Sequence, residues 1–259
     1  MRRKPATAAR RVVRLTERDL QVLELLVYRR AETLDFIHQG LFSDCVRKRA
    51  LNRLGELCAG GILERFDVQT IDAPEPQSVY RLDRRGVAVV RDRCLAGEHL
   101  RGRRWNPILR SSSIAHQIAT NRVGDILGTQ IAPEHLQPAA SASEARNRPD
   151  AIYLAHGNGR GMRVLVEVDL GHYSRRRLQD KIAAFHDRSD AGALIFVCPP
   201  ERQAYLEWVA GIQYHGEGDL RNWPIRVFTF DELKHPDTLP ERLRPFRFDD
   251  EPIRGLDCV

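Results

Sequence analysis

Four residues within a short span could do chemistry together: Asp150, Glu167, Asp169 and Lys181. Asp150 follows Pro149 at the head of a short apolar run. Glu167 and Asp169 lie two residues apart in a second run, 164–170, which is apolar and β-branched. Side chains alternate along a strand, so Val164, Val166, Val168 and Leu170 share one face while Arg163, Leu165, Glu167 and Asp169 share the other. Two carboxylates on a strand that reads as buried need partners, because an unpaired buried charge is very costly. A divalent cation is one solution. Hard ions such as Mg²⁺ or Mn²⁺ take carboxylate oxygens, which makes Asp150, Glu167 and Asp169 a metal-ligand set, with Asp125 as a further carboxylate from an upstream helix. An ionic network is the other solution, drawn from Arg175, Arg176, Arg177 and Lys181 just downstream.

The elements that must position these residues follow from periodicity and breakers. A helix is expected over 111–127, with Ile114, Ile118, Val123 and Ile126 as an imperfect apolar stripe. Residues 130–147 read as irregular, opening with one short strand. Strands over 150–155 and 163–170 are joined by a glycine-rich hairpin turn at 157–159. A helix over 174–187 carries Lys181, and the apolar strand 193–198 stops at Pro199 and Pro200. A helix over 201–210, a last strand over 225–230 and a loosely ordered tail, 236–259, complete the chain. Helix, hairpin, helix, strand, helix, strand is an α/β order with the long crossovers that parallel pairing requires.

Residues 12–98 read as a separate domain, bounded by the basic stretch 99–110. Thr16 is an N-cap with Asp19 in the first turn, and Leu20, Leu23, Leu26 and Val27 follow at helical period. A short helix is expected over 33–39. A third helix over 44–59 turns Val46, Ala50, Leu54 and Leu57 inward and presents Arg47, Lys48, Arg49, Asn52 and Arg53 on its opposite side. Gly60 and Gly61 end it, as glycine just past a C-terminus should. Strands near 62–66 and 78–82, carrying Arg65 and Arg81, are joined by a polar loop, and a further helix spans 85–96. Three helices and a two-stranded ribbon make a winged helix-turn-helix, in which the third helix enters the DNA major groove and its Arg and Asn side chains read base edges.

Charge supports that division. The chain has a formal net charge of +6, but residues 1–110 hold 23 Lys+Arg against 14 Asp+Glu, while residues 111–259 hold 18 against 21. Such asymmetry marks a nucleic-acid-facing half. Five scattered cysteines without a CxxC pair exclude the common zinc-ribbon and disulfide frameworks and fit a reducing compartment. No apolar run approaches a membrane span, and the basic N-terminus lacks the apolar stretch of a secretory signal, so a cytoplasmic protein is expected. No HExxH pattern and no Walker loop are present. His172 and Tyr173 are a lone neighbouring pair of the residue types that a relaxase uses, and Trp105, Trp208 and Trp223 read as core or interface aromatics.

Pro149-Asp150 on one strand and Glu167 on the next resemble the PD-(D/E)xK nuclease fold. That resemblance implies a divalent metal on the carboxylates, activating water against a phosphodiester. It would make Asp150, Glu167 and Lys181 the catalytic set, with Lys181 on the following helix replacing the lysine that this chain lacks, since Asp169 stands at the family's lysine position. The segments LTERDLQVLELL, RKRALNRLGELCAGGILER, YRLDRRG, HQIATNRVGDIL, RPDAIYL and LVEVDLGHYSRRRLQDKIAAF together resemble the bacterial replication-relaxation family. Membership implies double-stranded DNA as partner at a plasmid or other mobile element. The expectation is a DNA-binding regulator or accessory factor, acting as a homodimer beside a relaxase or replication protein and needing no cofactor to bind DNA. Its alternative is a Mg²⁺- or Mn²⁺-dependent nicking endonuclease directed by the winged helix.

Overall fold

The computed structural model describes residues 13–71, 73–93, 95, 113–128, 148–155, 162–187, 191–215 and 225–235. The basic stretch 99–110, the irregular segment 130–147, the hairpin turn at 157–159 and the tail 236–259 lie outside them. Two compact units are present, dividing mainly between Ala119 and Thr120, and each has its own sheet. That division falls inside the helix Ile114–Leu127, later than the basic stretch where the sequence suggests it.

In the first unit, α1 (Glu17–Arg29) opens with a complete capping box: Thr16 Oγ1 accepts the Asp19 N–H at 3.3 Å, and Asp19 Oδ2 accepts the Thr16 N–H at 2.7 Å. Its buried face is Val22, Leu23, Leu26 and Val27. A three-residue strand, β1 (Ala31–Thr33), follows where the sequence gives no strand signal, and Thr33 then caps α2 (Leu34–Leu41). Helix α3 (Arg47–Ala59) starts three residues later than its apolar pattern suggests. Val46 is its N-cap and 73% exposed, so the inward position assigned to Val46 is corrected, and Phe42 is buried in the core instead. Gly61, at φ +70°, turns the chain out of α3 in the left-handed region.

Strands β2 (Leu63–Val68) and β3 (Gln77–Leu82) pair antiparallel, Leu63 opposite Leu82, and β1 adds to the far side of β3. Helix α4 (Arg84–Asp92) then packs back by its glycine: a Cβ on Gly86 would overlap the Ile62 carbonyl oxygen. Ile114 and Ile118, at the start of α5 (Ile114–Leu127), pack on Ala31 and Val79 with Phe66 and Val68. Helices α1, α2 and α3 with the antiparallel three-stranded sheet make a winged helix-turn-helix, with β2 and β3 as the wing, to which α4 is added.

The second unit holds β4 (Ala151–Ala155), β5 (Met162–Val168), α6 (Arg175–His186), β6 (Ala193–Cys198), α7 (Pro200–His215), β7 (Ile225–Thr229) and the single turn α8 (Phe230–Leu233). The sheet order is β4-β5-β6-β7; the first pair is antiparallel and the other two are parallel. The steps from β5 to β6 and from β6 to β7 run in the same direction across the sheet. Right-handed crossovers therefore put α6 and α7 on one face. That face is the one bearing Leu165, Leu194, Phe196 and Cys198, which pack against Leu178, Ile182 and Phe185 of α6 and Leu206 and Val209 of α7. Val164, Val166, Val168, Ile195 and Val197, on the opposite face, are buried as well, which is why the strands read as nearly continuous apolar runs. Among the described residues, no helix is long and apolar enough to cross a membrane.

Candidate functional site

Antiparallel pairing of β4 with β5 carries Asp150 to the carboxyl end of β5. Its N–H donates to the Val166 carbonyl at 2.9 Å, and its Oδ2 accepts the Val168 N–H at 2.8 Å. Glu167, fully buried, lies on the same stretch of β5 and points to the helix-covered face. Lys181 comes down from α6 and forms an ion pair through Nζ with Glu167 Oε2. Asp150, Glu167 and Lys181 are thus brought together, although Asp150 lies 17 residues before Glu167 and Lys181 lies 14 after it. Burial alone would push the Lys181 ammonium down, but the carboxylates of Glu167 and Asp150 outweigh it and hold the group above its ordinary pKa.

Tyr173 closes this cluster, with its ring centroid 5.1 Å from Lys181 Nζ. Burial, then the negative charges of Asp150 and Glu167, push its phenol up, so it stays protonated at neutral pH. A phenol held in that state is a poor nucleophile, which counts against a relaxase-like role for the pair His172 and Tyr173.

Asp169 is drawn elsewhere. Its Oδ2 accepts Arg202 Nε at 3.0 Å and its Oδ1 accepts the Gly171 N–H at 2.9 Å, while Arg202 Nη2 also donates to the Tyr173 carbonyl at 2.5 Å. Arg202, from the first turn of α7, is the site residue that sequence reasoning does not single out. Arg175, Arg176 and Arg177 join neither carboxylate. Arg175 lies over the Trp208 ring at 4.5 Å and Arg177 over the Tyr173 ring at 4.4 Å. Asp125, exposed on α5, pairs with Arg122 at 3.4 Å. The set Asp150, Glu167 and Asp169 is therefore split between a lysine, an arginine and backbone N–H groups. Among the described residues no three His, Cys, Asp or Glu side chains form a group able to hold a metal ion.

In the winged helix, α3 presents Arg47, Lys48, Arg49 and Asn52 to solvent. Arg47 Nε pairs with Asp35 Oδ1 of α2 at 2.5 Å, which aligns the start of α3 with α2. Lys48 and Arg49 carry no ion pair among the described residues, so their charges stand open. Arg53 is different. Its Nη2 and Nε grip both oxygens of the buried Asp19, at 2.5 and 2.9 Å, while Nη1 bonds Glu56 and Nη2 also the Arg14 carbonyl. Burial pushes the Asp19 carboxyl up, but hydrogen bonds from Arg53 and Thr16 outweigh it and hold the group below the usual carboxylate range. One carboxylate thus caps α1 and bolts α3 to it. On the wing, Arg65 is exposed and pairs with Asp67 at 3.1 Å, whereas Arg81 is largely buried, forked on Glu64 at 2.6 and 3.0 Å and stacked over Phe66 at 4.6 Å. Arg53 and Arg81 therefore hold the fold together, while Arg47, Lys48, Arg49, Asn52 and Arg65 face outward.

No curated protein matches this chain. Among solved structures, it is similar to the restriction endonuclease FokI, at 12% identity and a TM-score of 0.30, over 86% of this chain and 44% of that one. It is also similar to FokI bound to DNA, at 15% identity and a TM-score of 0.27, over 86% of this chain and 45% of that one. The chain spans less than half the length of those structures. A model of the replication-relaxation proteins matches residues 23–193, well over half of the 259 residues, and the chain belongs to the replication-relaxation family.

Proposed function

We propose that this protein binds duplex DNA through α3 and serves a plasmid or other mobile element as a regulator or accessory factor of replication, relaxation or mobilisation. The observation that carries this reading is the open basic face of α3. Lys48 and Arg49 are exposed without an ion pair on a helix whose orientation is set by Arg53 on Asp19 and by Arg47 on Asp35. A salt-bridged arginine behind, Arg53, and cations without an ion pair in front are what a helix needs to meet phosphates and base edges. The second unit serves as a scaffold, a reading supported by the pairing of Glu167 with Lys181 and of Asp169 with Arg202. A homodimer would place its half-sites about one helical turn, ~10 bp, or a multiple apart.

The test is duplex affinity as a function of salt. Each phosphate neutralised contributes about −0.9 to the slope of log K against log salt. Lys48→Ala with Arg49→Ala should flatten that slope by about 1.8 and weaken binding at every salt concentration. Unchanged affinity and slope in the double variant would remove α3 as the DNA-reading helix. Nicking of supercoiled plasmid in Mg²⁺ or Mn²⁺ by the parent protein, lost in Glu167→Gln, would favour the metal-dependent endonuclease over the scaffold.

A further inference from the structure

A second basic surface lies on the C-terminal unit, built from residues that the acidic cluster does not use. Arg175, Arg176 and Arg177 are exposed on the first turn of α6, and none of them has an ion pair among the described residues. Cations there face the positive end of the helix dipole, and that turn carries no acidic residue to offset them. Folding is therefore a poor explanation for three consecutive arginines. Beside them stands Trp208 of α7, 49% exposed, the most exposed aromatic side chain among the described residues. The Arg175 guanidinium lies 4.5 Å from its ring centroid, and Tyr205 stands 5.9 Å away on the next turn of α7, its own ring stacked by Arg202 at 4.1 Å. Of the two places the sequence offers for Trp208, core or interface, this exposure excludes the core.

We propose that this surface binds single-stranded DNA, with Trp208 as a stacking platform for an unpaired base and Arg175 and Arg176 as its phosphate contacts. An arginine laid on an aromatic ring keeps its N–H groups in the ring plane's periphery, free to meet a phosphate, while its stem covers apolar surface. Bases in a duplex are stacked on one another and cannot cover a tryptophan, so an exposed ring selects an unpaired nucleotide. A second copy of this chain fits poorly, because a two-fold contact centred on Trp208 would bring two sets of unpaired arginines together. The surface is independent of α3, and either reading can fail without the other.

The experiment uses the full chain and a fluorescently labelled 20-nucleotide oligo-dT, with a duplex of equal length as the second probe. Trp208→Ala should weaken oligo-dT binding about five- to a hundredfold, the range seen for loss of one base–aromatic stack, while Trp208→Tyr retains most of it. Arg175→Ala with Arg176→Ala should flatten the salt slope for the single strand by about 1.4. Duplex binding should be unchanged in all three variants, and circular dichroism should show the parental helix content. Oligo-dT affinity that does not change in Trp208→Ala would overturn the proposal. So would a change in self-association in Trp208→Ala with single-strand affinity preserved, which would assign the surface to contacts between copies.

Discussion

Replacing Lys181 with methionine should destabilise the second unit sharply, and in a way that depends on pH. The side chain of Glu167 is fully buried, and that of Lys181 is 6% exposed. Lys181→Met keeps the length and apolar stem of the side chain and removes only the charge, so packing against Tyr173 and Phe185 survives. What is left is a carboxylate in a poorly solvated site, and breaking a buried pair in this way typically costs about 3–5 kcal/mol. For a unit of this size that corresponds to a fall in Tm of roughly 10–20 °C. In the parent, the folded-state pKa of Lys181 is raised. Its contribution is therefore fully present below the unfolded lysine pKa, about 10.4, and is lost as pH rises through the folded value. In the variant the sensitive group becomes Glu167, whose carboxyl, now without a cation, is pushed up. Protonation relieves it, so the deficit should be largest near pH 7 and shrink as the pH falls toward about 4. Urea unfolding followed by circular dichroism from pH 4 to pH 10 reads the acid-side recovery of the variant, while the Lys181 contribution in the parent should stay constant across that range. A second variant, Glu167→Leu with Lys181→Met, should recover most of the loss, because an apolar pair of similar volume needs no counter-charge. A single variant that loses under about 1 kcal/mol, or a deficit that does not change with pH, would refute the buried ion pair.

Three further outcomes follow from the geometry. Arg53→Ala should cost about 3 kcal/mol, because it strands the buried Asp19 carboxylate. Asp19 has a depressed folded pKa in the parent, so its contribution is present above about pH 4 and fades as the pH falls through the folded value; the gap between parent and Arg53→Ala should narrow in acid, which an unfolding series down to pH 3 would record. Gly86→Ala should destabilise the winged helix by about 1–3 kcal/mol, since its Cβ meets the Ile62 carbonyl oxygen, a backbone atom that cannot swing aside; thermal melting checks it. Asp150→Ala removes the acceptor of the Val168 N–H and should cost about 1.5–3 kcal/mol, with no Mn²⁺ response in either parent or variant; tight Mn²⁺ binding by calorimetry that disappears in Asp150→Ala would sink this.

Local patterns in the amino-acid sequence were enough to determine most of the elements. The Thr16 capping box, the apolar period of α1 and α3, the glycine exit after α3, the β5 alternation and the proline stop after β6 each depend on residues within a turn or two of one another. Tertiary structure decided the rest. Strand β1 is three residues long and carries Glu32, a residue type that marks surface, yet it is buried because Arg29 Nε reaches it at 2.6 Å. Nothing local to Val46 shows that α3 begins one residue after it. The largest differences concern the charged side chains. Periodicity places Arg53 on a basic face with Lys48 and Arg49, and Arg81 on the wing, but it cannot show that Arg53 meets Asp19 across 34 residues or that Arg81 forks on Glu64. Likewise Asp169 takes Arg202, 33 residues away, and leaves the nearby Arg175 and Arg177 to aromatic rings. A helix or strand is set by short-range sterics and by which residues are apolar. The partner of a long cationic side chain is set by which elements the crossovers bring into reach, and that is a property of the folded chain alone.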